Sequence, residues 1–258
     1  MHVVSVGFAA VKGTRHLARP AVRLSAAGAV GDRSLCLIDD AGQVLRTVAH
    51  PGLLRVVVTA ADLAQVEPTG ERLVADYWSR SAPVEVVRHP SLPARLASAA
   101  GVSAASVRLA RPDPAAVVWG RGVSLVGTAS LRDLAARVAP GPDGRGVGAG
   151  GSGVGSGDWG VDPARFRATV VVHTDQAYVE DTWCGQLLRV GDSVLRVGSV
   201  MPRCAVIDLN PVDGQRNSRL LDLLARYRPS PDGPLFGVDA EVVEAGTVRP
   251  GDEVSTVR

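Results

Sequence analysis

Aromatic side chains are scarce in this 258-residue sequence, at 4%, and lysine is nearly absent, Lys12 being the only one. No apolar run approaches the ~20 residues that a membrane-spanning helix needs. The start, Met1-His2-Val3-Val4-Ser5-Val6, has no basic stretch leading into a long apolar one, so no secretory signal is expected. Three cysteines, an odd number without CxxC spacing, exclude a disulfide scaffold and suit a reducing cytoplasm. The five histidines form no HxH or HExxH, which excludes a zinc site of the usual spacing. There is no GxSxG, no Walker loop and no Rossmann fingerprint after a strand. Charge of neither sign prevails: 28 Lys+Arg against 26 Asp+Glu give +2, too little to coat nucleic acid or a membrane surface.

What is present is apolar residue, 46% of the chain, enough for one large or two small cored domains. The first third reads as short strands, Val3–Phe8, Ser34–Asp39, Val44–Thr47, Leu54–Thr59, Arg72–Ala75 and Val84–Arg88, set apart by Gly, Asp and Pro. Asp39-Asp40-Ala41-Gly42 fits a hairpin turn. With no helix between them, such strands predict an antiparallel barrel or sandwich. Helices are expected at Pro93–Ala100 and Ser130–Val138, the second with Ser130 as N-cap, and at Arg219–Tyr227 with its leucine face. Later strands fall at Thr169–His173, Gln186–Val190, Ser193–Val197, Cys204–Leu209 and Glu241–Glu244. Residues 140–160, half of them glycine around Gly150-Gly151-Ser152-Gly153, read as a flexible insertion, since no strand leads in and no amphipathic helix leads out. The fold class is mainly β with a few helices (α+β).

Chemistry narrows to the cysteines. Cys36, in Leu35-Cys36-Leu37-Ile38, is a core residue, and Cys184 has no activating neighbour. Cys204 follows Pro202-Arg203 at a bend. A neighbouring guanidinium favours thiolate, while a buried small apolar role fits the same residues.

Arg203-Cys204, Asp208-Leu209-Asn210-Pro211-Val212-Asp213-Gly214, the leucine helix, Pro234-Leu235-Phe236-Gly237-Val238 and Gly246 to Val254 together resemble the end of a MOSC domain, named after the C-terminal part of molybdenum cofactor sulfurase. Arg165-Phe166-Arg167 and Tyr178-Val179-Glu180-Asp181-Thr182-Trp183 are similar to that family's middle. Val11-Lys12-Gly13, Gly31-Asp32-Arg33 and Val44–Pro51 resemble the β-barrel domain that precedes it. The resemblance implies a smaller N-terminal β-barrel-like domain (1–90) packed with a β-barrel-like MOSC domain (91–258), as in members similar to the mitochondrial amidoxime-reducing component. It further implies the molybdenum cofactor (molybdopterin), held through Cys204 as metal ligand beside Arg203, and no need of pyridoxal phosphate. Lys12, Arg33, Thr128, Ser130, Arg167 and Thr169 fall on the cofactor-binding positions. Glu180 and Asp181 stay open, and Trp183 is expected to be structural.

Three positions depart from the family pattern: Ala10 for a proline, Thr169 for an asparagine and Pro202 for a serine. A lost cofactor hydrogen bond is worth on the order of 0.5–1.5 kcal/mol. The expected activity is reduction of an N-oxygenated small molecule. Three cysteines are too few for a four-cysteine cluster, so an external electron-donor protein or reductase is implied. The alternatives are a sulfur-transfer protein carrying a persulfide on Cys204, and a cofactor-free binding module.

Overall fold

The computed structural model describes residues 1–138 and 159–257. Along the chain come β1 (His2–Phe8), β2 (Leu17–Arg19), β3 (Val22–Ser25), β4 (Gly28–Ala29) and β5 (Cys36–Asp39). Next are α1 (Ala60–Ala64), β6 (Glu67–Asp76), β7 (Ser81–Arg88), α2 (Leu92–Ala100) and β8 (Val107–Pro112). β9 (Val123–Gly127), α3 (Thr128–Arg137), β10 (Val170–His173), β11 (Leu187–Val190) and β12 (Ser193–Pro202) follow. The chain ends with α4 (Leu220–Tyr227), β13 (Leu235–Glu244), β14 (Gly246–Val248) and β15 (Val254–Val257). The architecture is mainly β with a few helices, as the sequence predicts.

The largest sheet has the order β15-β11-β12-β13-β9-β10-β1-β2. It curls until β1 meets β15, through a single bridge between His2 and Glu253 and through Val3 N–H donating to Asp252 O. The result is barrel-like, joined at the seam by isolated bonds and not by a ladder. β9 and β10 sit in its middle and are apolar on both faces. Val123, Leu125, Val170 and Val172 point into one core, while Val126 and Val171 point the other way, towards Leu131 and Leu134 of α3 and Leu220 and Leu224 of α4. Two-sided burial is why these strands lack polar alternation.

Several expectations are corrected here. β9 and β10 pair in parallel, outside the first third for which antiparallel pairing is expected, and α3 supplies the crossover that a parallel pair requires. α3 starts at Thr128 with Gly127 as N-cap, which places Ser130 inside the helix. Val44–Thr47 makes only a bridge from Val44 to Ile38. Leu54–Thr59 is overtaken by a 3-10 turn over Pro51–Arg55, where Pro51 presets the first helical φ. Cys204–Leu209 is likewise a 3-10 turn, Ala205–Asp208, and not a strand. α1 breaks the expected helix-free run, nucleated by a capping box between Thr59 and Asp62. The turn at Asp39–Gly42 does form, Gly42 N–H donating to Asp39 O at 2.9 Å.

A second sheet, β5-β8-β7-β6, carries its own apolar cores, against α2 on one side and around Cys36 on the other. It takes β8 from beyond residue 90, while β1 and β2 belong to the large sheet. The glycine-rich insertion expected at about 140–160 falls almost wholly outside the described residues.

The small sheet β14-β3-β4 lies against the start of β9, where Gly28 and Gly122 meet backbone to backbone. A Cβ on Gly28 would stand 2.3 Å from Gly122 O, and its φ of +103° is one that side chains rarely adopt. Gly28→Ala is therefore expected to destabilise the chain by about 2–3 kcal/mol, through overpacking and left-handed strain together. Denaturant unfolding of the variant beside the unchanged protein checks it, and a shift within error removes the contact from the fold's supports.

Candidate active site

The strand ends converge on one cavity of about 330 Å³. Six of the eight residues expected from the sequence line it: Lys12, Arg33, Arg167, Thr169, Arg203 and Cys204. They come from three distant stretches of chain. Residues 9–12 run beside 32–35, with Arg33 N–H donating to Ala9 O at 2.7 Å and Lys12 N–H to Leu35 O at 2.7 Å. That pairing brings Lys12 and Arg33 to one wall. Arg167 caps the 3-10 turn Pro163–Phe166 in the left-handed region, at φ 52°, and its Nη1 donates to Thr14 O at 2.8 Å. One guanidinium thereby ties the opposite wall to the Lys12 loop.

Arg203 is a strut. Its Nε donates to Phe236 O at 2.7 Å and its Nη1 to Phe166 O at 3.0 Å, beneath the stacked rings of Phe166 and Phe236. It locks the end of β12 against β13 and the Phe166 turn, which fixes the direction in which the chain leaves towards Cys204. Arg165 does the same from below, donating to Ile207 O, Leu209 O, Ser218 Oγ and Asn217 Oδ1. These bonds hold the 3-10 turn after Cys204, and the Cys204 thiol is left exposed at the cavity. Cys36 is fully buried, and burial pushes its thiol up to about 12, as fits a core residue.

The electrostatics are one-sided. Lys12 lies well below its ordinary pKa, chiefly through desolvation and then through the charges of Arg33 and Arg167. It donates to Tyr77 Oη at 2.5 Å. Desolvation brings Arg167 down to about 10, with Arg33 adding to the shift, and brings Arg203 to about 10. A charge on Cys204 raises all three, so thiolate and cations would share one field. Against these four cations stand few carboxylates among the described residues: Asp32, already paired with Arg33, Asp239, whose charge acts on Arg203, and Asp232 in the cavity lining. Arg33 Nε, Arg167 Nη2 and Arg203 Nη2 are buried with no hydrogen-bond partner among the described residues. Buried donors of this kind cost energy until an acceptor satisfies them. The wall is built to receive an anion.

Thr128 and Ser130 lie outside the cavity, and their hydroxyls are spent. Thr128 Oγ1 accepts from Thr174 N–H at 3.1 Å and Ser130 Oγ from Tyr178 N–H at 2.7 Å. The α3 terminus is already capped by Glu180, which accepts from Gly127 N–H, and by Thr174, which accepts from Ala129 N–H. Asp181 pairs with Arg228 at 2.6 Å, and Trp183 is core. Thr169 reaches the cavity, but its hydroxyl accepts from Ser124 N–H at 3.3 Å. Sequence reasoning passed over Tyr77, His16 and the tryptophans Trp78 and Trp119. The rarity of aromatics, with Tyr77-Trp78 adjacent between two strands, was the available signal.

The sequence model of the MOSC domain matches residues 113–255, more than half of the chain. The chain belongs to the MOSC domain family, a family associated with the molybdenum cofactor. No curated protein matches the sequence. Among solved structures, the chain is similar to the YUAD protein from Bacillus subtilis at 12% identity, covering 98% of this chain and 92% of that one, with a TM-score of 0.43. YiiM from Geobacillus stearothermophilus is similar at 14% identity, over 53% of this chain and 54% of that one, with a TM-score of 0.34. YiiM from Escherichia coli gives 14% identity, 54% and 55%, and 0.35.

His16 offers a test of the cationic field that needs no ligand. Burial, Arg167 and Arg33 together push it from 6.5 down to about 3. A base that holds its proton more weakly when folded makes stability fall as pH drops from 6.5 towards 3. His16→Asn is expected to flatten that acid limb of the unfolding free energy, and an unchanged limb would show that His16 does not sit in the cations' field.

Proposed function

We propose that this chain is a molybdenum-cofactor-dependent oxidoreductase that reduces an N-oxygenated small molecule. One observation carries the reading: three buried guanidinium nitrogens without acceptors stand with Lys12 in the wall of the cavity onto which the Cys204 thiol opens. That donor set fits the cofactor, which brings a phosphate for the cations and a soft metal for a thiolate. When bound, the cofactor would supply a centre able to accept an oxygen atom and to pass two electrons.

Everything else falls to the chain. Lys12, Arg33 and Arg167 would hold the phosphate by charge-assisted bonds, and Cys204 would ligate the metal. Arg203 positions the cysteine, with Nε and Nη1 bonded to Phe236 O and Phe166 O, and only its Nη2 stays without a partner among the described residues. The net change converts an N–OH group to N–H and water, consuming two electrons and two protons. The electrons come from an external electron-donor protein or reductase. Lys12 and Tyr77, hydrogen-bonded to each other, are placed to hold a proton at Nζ or Oη.

The exposure of the Cys204 thiol also supports a second reading, sulfur transfer through a persulfide on Cys204. A mass gain of about 32 Da on Cys204, one sulfur, marks that state. A chain with neither molybdenum nor this adduct would be a cofactor-free binding module.

Molybdenum and pterin per protein, measured after expression with molybdate, decide between these. Lys12→Ala removes one charge-assisted partner, worth about 1.5–3 kcal/mol, and is expected to weaken cofactor retention roughly ten- to hundredfold. Cys204→Ser is expected to fold and to lose all reductase activity. Cys36→Ser should keep the metal and lose stability, since it places a hydroxyl in an apolar core. Wild-type molybdenum content in Lys12→Ala overturns the phosphate site, and normal turnover by Cys204→Ser overturns both catalytic readings.

A further inference from the structure

The mouth of the cavity is lined by two tryptophans that the reading above leaves without a task. Trp78 and Trp119 are 48% and 51% exposed, in a chain whose other two tryptophans are buried. Their ring centroids are 6.4 Å apart with planes tilted by 56°, and both line the Cys204 cavity. Arg46 covers Trp78 at 4.0 Å and Arg80 covers Trp119 at 5.9 Å. Neither arginine has a carboxylate within 4.0 Å among the described residues. A second cavity of about 550 Å³ adjoins the first, sharing Trp119, Met201, Pro202 and Asp232 with it. A ligand lying across both would pass the two rings on its way to Cys204.

The backbone under Trp78 is independent support. Trp78 and Ser79 form the tip of the β6–β7 hairpin, closed by Tyr77 N–H donating to Arg80 O at 2.9 Å and Arg80 N–H donating to Tyr77 O at 3.2 Å. Both have positive φ, 57° and 59°, the geometry that Asn-Gly serves without cost. A half-exposed tryptophan there recovers too little packing to offset the strain. Of six non-glycine residues with positive φ among the described residues, three line this cavity: Arg33, Trp78 and Arg167. Strain of this kind collects at binding sites.

We propose that Trp78 and Trp119 form an aromatic clamp that selects planar aromatic N-oxygenated substrates, with Arg46 and Arg80 favouring an anionic over a cationic ring substituent. The substrate class rests on the oxidoreductase reading, whereas the clamp itself rests only on the rings and the strain. Rings stack on tryptophan faces, and both tryptophans are about half exposed in the cavity lining. Asp232, the acidic residue common to both cavities, partly offsets the arginines.

Isothermal titration of the purified chain with 4-carboxybenzamidoxime tests it, with the saturated cyclohexane counterpart and a 4-trimethylammonio analogue as comparisons. The carboxylated aromatic compound is expected to bind at least tenfold more tightly than either. Trp78→Asn, which suits the turn better, should keep or raise the melting temperature while weakening that binding at least tenfold; Trp78→Phe should retain most of it. Equal affinity for ring and saturated analogue, or unchanged affinity in Trp78→Asn, overturns the clamp. Molybdenum content of the same preparations separates the two ideas. Aromatic preference without molybdenum leaves the clamp standing and removes the redox reading, whereas molybdenum without aromatic preference does the reverse.

Discussion

Four like charges in one partly desolvated wall are the constraint around which this protein is organised. At short range and low effective dielectric such charges repel by kcal/mol amounts, and the backbone must hold them together against that force. It does so with carbonyls. Arg167 is pinned by Thr14 O, Arg203 by Phe236 O and Phe166 O, and Lys12 by the hydroxyl of Tyr77. The Arg167 and Arg203 pins use some donors of each guanidinium and leave its Nη2 buried without a partner among the described residues. The folded chain thus holds a standing electrostatic deficit that an anion of the right size would relieve.

The same pins give the site its shape. Arg167 reaches across 153 positions of sequence to Thr14, and Arg203 across 37 to Phe166. Arg165 keeps the turn after Cys204 in place from a position that is itself 3% exposed. Arginine suits this work better than lysine, since a planar fork can bond one carbonyl and still offer a second edge. The single lysine sits where a compact ammonium meets a phenol.

Beneath the site, the curled sheet provides the rigid base. β9 and β10 are buried on both faces, so their ends cannot shift without disturbing two cores at once. Arg167 leads into β10 and Lys12 follows β1 beside it, while Cys204 follows β12 in the same sheet. The smaller sheet contributes Tyr77 and Trp78 from one hairpin, so the cavity is complete only when the two sheets are packed together.

Much was legible in the sequence. The β-rich runs, the leucine face of α4 and the buried Cys36 could be read from alternation, periodicity and short motifs, because those signals are local, whereas the six residues that meet at the cavity were picked out by the resemblance to the MOSC family. Cys204 could be singled out since proline and arginine beside it mark a bend. What the sequence could not reveal depended on distant partners. Ser130 has the chemistry of an N-cap, yet Glu180, 50 positions later, caps the helix and leaves that hydroxyl to Tyr178 N–H. Residues 204–209 have strand propensity, but the Arg165 fork draws their carbonyls into a 3-10 turn. Arg203 beside Cys204 suggested activation by a neighbour; the tertiary structure turned its side chain into a strut, because carbonyls from Phe166 and Phe236 stand where its donors point. Sequence determined which groups were available, and only long-range packing decided which of them would still be free to act.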